Sequence, residues 1–184
     1  MDDHRQAALL RHRQKAAQRL LLHLGRGLAA AFSLLALILL WRMEKEDRAA
    51  RGRTGGIPWT PLLVAFSPWV IESAHSTKPD SAMLFFACAA WLLGMRLFQE
   101  GRRRWHWACG ACLGLAFSCQ YTAAPAWVLL PLAHFLSPRR PPKRWLLEGG
   151  AEAIAGFFLG SPYALLDFPL FKESLADTSF LATV

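Results

Sequence analysis

Between two strongly apolar runs lies the segment Glu72-Ser-Ala-His-Ser-Thr-Lys-Pro-Asp80, which gathers four ionisable side chains within one short turn of chain. Ionisable groups beside hydrocarbon are expensive unless they face water or a partner, so such a segment is a site candidate by default. The residue types fit acid–base and anion chemistry: Asp80 is able to take a proton from a hydroxyl or to position a metal, Lys78 to neutralise a phosphate as a point charge, and His75 to donate or accept a hydrogen bond. Each also has a plainer role. His75 alone beside Asp80 is a meagre metal site and serves as well for interfacial hydrogen bonding; Lys78 is long enough to snorkel; Asp80, just after Pro79, is placed to cap a helix; Glu72 belongs either to a helix end or to water.

The elements that must hold this segment are membrane helices. Hydrophobic residues make up 54% of the 184 positions and charged residues only 18%, with mean hydropathy +0.22, too apolar for an ordinary soluble domain of this size. Apolar segments run approximately over 27–41, 57–71, 81–98, 105–119, 123–136 and 146–166. Several fall short of the roughly 20 residues that cross a bilayer. The expectation is an all-α polytopic transmembrane bundle of about five to six membrane helices, some short or broken, and the segment carrying Pro58, Pro61 and Pro68 is the one expected to bend. Residues 1–25 read as a basic amphipathic juxtamembrane segment and 26–184 as the transmembrane region. No cleavable signal is recognisable, because the first apolar run begins late and lacks a small-residue cleavage site.

The formal net charge of +8 raises nucleic acid as a partner, but the cations sit in short clusters between apolar runs, as in cytoplasmic membrane loops. Arg42, Lys45, Arg48, Arg51 and Arg53 form one cluster, Arg96, Arg102, Arg103 and Arg104 a second, and Arg139, Arg140, Lys143 and Arg144 a third. The alternating segments hold only Lys78 and Lys172. The clusters are expected in the cytoplasm, which puts 72–80, 120–124 and 161–184 on the opposite face. The amino terminus conflicts with this parity, since Arg5, Arg11, Arg13, Lys15, Arg19 and Arg26 would lie outside. Either the first 26 residues form an interfacial amphipathic helix, the favoured reading given Leu9, Leu10, Leu20, Leu21 and Leu24, or the first apolar run does not cross.

Ser67-Pro68 followed by His75, Lys78 and Asp80 and then a long apolar helix resembles the bacterial membrane glycosyltransferases of family 39, the dolichyl-phosphate-mannose-protein mannosyltransferase and aminoarabinose-transferase type, which have the GT-C fold. Three further pieces look like the same family: GACLGLAFSCQY at 110–121, the helix 125–136 with Pro131, and GFFLGSPYALLD at 156–167. The likeness covers roughly Arg26 to Phe171 as an ordered set of weak motifs. It implies a sugar taken from a polyprenyl-phosphate carrier and placed on an acceptor at the extracytoplasmic face of a bacterial inner membrane. Asp80 would then be catalytic, and Lys78, His75, Tyr121 and Tyr163 would bind substrate; a divalent metal is an open possibility with no ligand set assigned.

Two departures from the family pattern stand out. The family's principal acid lies in a first outer loop after a first spanning helix, and here only Asp2 and Asp3 precede the corresponding region. Where the family commonly has Lys before the tyrosine matching Tyr121, this chain has Gln120. Both lead to the expectation of an amino-truncated piece or divergent relative, inactive on its own. The alternatives are a noncatalytic polytopic membrane protein and a transporter subunit.

The remaining polar residues read more simply. Glu148 and Glu152, one turn apart, are expected to pair with Lys143 and Arg144, and Asp167 either joins the outer site or marks a helix end. Tyr121 also suits an interfacial aromatic belt, as do Trp41, Trp59, Trp69, Trp105 and Trp145. Cys88, Cys109, Cys112 and Cys119 fall inside apolar runs, and the small residues around Cys109, Gly110 and Gly114 read as a close-packing helix face rather than a zinc site.

Overall fold

The computed structural model describes residues 2–52, 56–76, 78–169 and 172, with side chains described from Lys15 onward except at residues 16 and 165. Arg53, Thr77 and the chain beyond Lys172 lie outside it, as do the side chains of Leu9, Leu10, Arg5, Arg11 and Arg13. Every regular element among the described residues is helical: α1 (Asp2–Ala50), α2 (Trp59–Ala65), α3 (Pro68–His75), α4 (Asp80–Glu100), α5 (Arg103–Cys119), a 3-10 helix (Tyr121–Val128), α6 (Leu129–Leu136), α7 (Lys143–Gly160) and α8 (Tyr163–Leu166). Two helices are long and apolar enough to cross a membrane, Ala17–Ala50 and Asp80–Glu100; Tyr121–Leu136 is a shorter apolar stretch. The chain divides into two compact units, Met1–Phe85 and Phe86–Val184, the division falling within α4.

In the first unit the basic segment and the first apolar run form one uninterrupted helix, α1. The bend expected near the prolines falls at Phe66-Ser67, where Pro68, lacking an amide hydrogen, opens α3 rather than extending α2. Glu44 fixes where α2 begins. Its two carboxylate oxygens accept the backbone N–H groups of Trp59 (3.1 Å) and Thr60 (2.9 Å), standing in for a cap that Pro58 cannot supply. Arg48 donates to the same carboxylate at 3.0 Å and to the Ile57 carbonyl. Glu44 is thus a clamp between α1 and the start of the broken helix.

The second unit is an up-and-down bundle whose core holds Ala90, Leu97, Cys109, Leu113, Leu130 and Ala133. Glycines set its tightest joint. Gly110 faces the Gly149 carbonyl, Gly114 that of Ala153 and Gly156 that of Ala111, so α5 and α7 run parallel with backbones touching. Small residues allow that approach, as the sequence indicated. Cys109 donates its thiol to the Ala90 carbonyl at 3.5 Å, a packing role, and among the described residues no three His, Cys, Asp or Glu side chains converge as metal ligands.

Candidate functional site

The polar turn is built by the ends of two helices. Pro79 precedes α4, its carbonyl accepting the Met83 amide at 2.9 Å, and Asp80 occupies the first turn, where an acidic side chain meets the positive end of the helix dipole. Asp80 is half-buried, while Lys78 and His75 are exposed. The Lys78 amide donates to Ser76 Oγ at 2.9 Å, which fixes the backbone and leaves the ammonium on its own stem. At the end of α3, His75 Nδ1 lies 2.8 Å from the Ile71 carbonyl. A carbonyl only accepts, so Nδ1 carries the hydrogen and Nε2 is the ring nitrogen left for another partner.

A serine relay anchors this turn to α1. Ser33 Oγ donates to Ser81 Oγ at 3.1 Å, and Ser81 Oγ donates to the Ser73 carbonyl at 3.0 Å, all of it buried. Phe32 and Phe85 pack beside it with ring centroids 5.5 Å apart. Ser33 sits about 9 Å from Gly27 and about 12 Å from Trp41 along α1, at 1.5 Å per residue. The turn is therefore held against the apolar run of α1, a contact that hydropathy alone did not reveal.

In the second unit the structure brings Tyr121 and Tyr163 together. Their hydroxyls are 3.2 Å apart, with the Tyr121 ring edge-on to Phe117, which in turn touches Trp127 and Phe157. Burial, then the Tyr163 hydroxyl, pushes the Tyr121 phenol up to about 12, so the Tyr121 hydroxyl is a neutral donor and acceptor at ordinary pH. Ser161, buried one residue before the Pro162 turn, donates to the Ser118 carbonyl at 3.3 Å and ties the start of α8 to the end of α5. Asp167 ends α8, its amide bonded to the Tyr163 carbonyl at 2.8 Å.

Three arrangements escaped the sequence. Glu148 takes Arg103 as its direct partner, with Arg144 of its own helix acting only through space: Arg103 Nε is 2.6 Å and Nη2 2.8 Å from its two oxygens, and the Trp107 indole donates at 3.0 Å. The parallel packing of α5 on α7 sets a forked guanidinium opposite the carboxylate, a better match than the neighbours on its own helix. His106 and His134, both buried, are joined Nε2 to Nδ1 at 2.9 Å. His106 Nδ1, 3.2 Å from the Arg102 carbonyl, carries its hydrogen, so His134 is the donor in the pair. The third is the Glu44 clamp. None has a sequence signal, since each partner lies 15 or more positions away.

The described residues form an all-helical protein with two helices long and apolar enough to cross a membrane and a polar turn opening one of them, which is the candidate site. Residues 24–159 match the family model described as dolichyl-phosphate-mannose-protein mannosyltransferase, and the chain belongs to that family, of GT-C type. Neither the curated proteins nor the solved structures returned a match.

Proposed function

We infer that this chain is a membrane glycosyltransferase, or a part of one, that moves a sugar from a polyprenyl-phosphate donor to an acceptor hydroxyl at the extracytoplasmic face of a bacterial inner membrane. The observation that carries this reading is the family match over 24–159, within which falls an acidic first turn of α4 preceded by Lys78. In the reaction, the acceptor oxygen forms a bond to the anomeric carbon while its proton passes to the Asp80 carboxylate. The bond from that carbon to the phosphate oxygen breaks, and the polyprenyl phosphate leaves with the electron pair. The Lys78 ammonium stabilises the departing anion, and His75 hydrogen-bonds substrate through Nε2. No step is assigned to a metal.

Replacing Asp80 by Asn removes the base and keeps the shape. In the full-length context, D80N is expected to lower sugar transfer by roughly 10²–10⁴-fold, the usual worth of a positioned base, with membrane insertion unchanged. Wild-type turnover in an inserted D80N protein rules Asp80 out as the base.

A further inference from the structure

In the sequence the second and third basic clusters belong to different loops; in the fold they form one surface. The turn after α4 and the turn after α6 are clasped together. Ser137 Oγ donates to the Phe98 carbonyl at 3.0 Å, and Gly101, with φ +60, lies so near the other turn that an added Cβ would stand 2.6 Å from Arg139 Cβ. Parallel packing of α5 on α7 sets both helix starts at this same end. The carboxylates there are few and already engaged: Glu100 holds Arg102 at 3.1 Å and Arg104 at 3.7 Å, and Glu148 holds Arg103. Arg139, Arg140, Lys143 and Arg144 are exposed; among the described residues none is in direct contact with a carboxylate, and only Arg144 is near enough to Glu148 to act on it through space.

Gathering like charges raises the energy of the folded state unless counter-charge is supplied. The neighbouring aromatics identify the setting in which it is supplied. Arg103 lies over the exposed Trp107 ring (4.5 Å to its centroid), while Arg104 lies over Trp105 (4.4 Å), whose ring packs against the core of the bundle. The exposed Trp107 with Arg103 is the pairing of a lipid headgroup boundary, where the ring meets hydrocarbon and the guanidinium meets phosphate.

We propose that the joined turns, centred on Arg139, Arg140, Lys143 and Arg144, bind the phosphate headgroups of anionic phospholipids in the adjoining leaflet. Lipid binding at this surface does not depend on sugar transfer.

The test uses the full chain in detergent, freed of lipid and offered equal amounts of phosphatidylglycerol and phosphatidylcholine with matched acyl chains, with retained lipid counted by native mass spectrometry. Phosphatidylglycerol should be retained with roughly tenfold preference, given the attraction of several basic residues for an anionic leaflet. The preference should disappear in the triple variant R139Q/R140Q/K143Q and persist in R139K/R140K, which keeps the charge and controls for folding. Equal retention of the two lipids overturns the proposal, as does a preference that survives the triple variant. Displacement by millimolar inorganic phosphate as effective as by added phosphatidylglycerol assigns the site to a soluble anion and overturns the lipid.

Discussion

Only two tyrosines occur in the chain, and they touch. Alkaline titration of phenolate absorbance consequently reports this one pair. Because the folded Tyr121 pKa stands above the unfolded value near 10, the folded state holds that proton more tightly. The stability it contributes is complete below pH about 10 and is lost as pH rises toward about 12. The titration should therefore show one late phenol, and Tyr163→Phe should bring its midpoint down while burial keeps it above the ordinary value. A midpoint unmoved by Y163F would mean that the hydroxyls do not meet in solution. Both tyrosines were singled out from motif resemblance, but their contact was not legible, because it joins positions 42 residues apart. His75, Lys78 and Asp80 were legible because they are neighbours in the chain.

At the scale of elements, the α5–α7 joint makes the sharpest claim. A Cβ at Gly110 would overlap the Gly149 carbonyl oxygen, and the obstacle is backbone on another helix, which cannot swing aside. Gly110→Ala should lower stability by about 1–3 kcal/mol, the usual range for overpacking. Gly150 sits in the same helix as Gly149 with nothing within 4 Å of its added Cβ. Gly150→Ala should be neutral or stabilising by about 0.5–1 kcal/mol through backbone entropy. Thermal unfolding of the two variants in one detergent separates these outcomes, and equal loss in both would refute the packing. The close-packing face and the break at Pro68 were readable because each is a local constraint of residue type on backbone. The Glu44 clamp, the histidine pair and the partner of Glu148 were not, because composition and periodicity say which face of a helix is apolar but not which helix meets it.

For the whole molecule, the testable claim is which side of the membrane each polar segment faces. The positive-charge asymmetry predicts that the 72–80 segment lies opposite the clusters at 102–104 and 139–144. The serine relay ties the turn to Ser33, within the α1 apolar run, which predicts a water-filled recess beside Asp80 and Lys78. Both conditions are tested by single cysteines in a background where Cys88, Cys109, Cys112 and Cys119 are replaced by Ala. Ser76→Cys should react with a membrane-impermeant maleimide added from outside intact spheroplasts, and more slowly than a cysteine in an open loop, because the reagent must enter the recess. Pro138→Cys, at an exposed position beside Arg139, should react only after the membrane is opened. Labelling of both positions from one side would place the turn and the basic end in a single compartment, and sugar transfer at the outer face would then have no site in this chain.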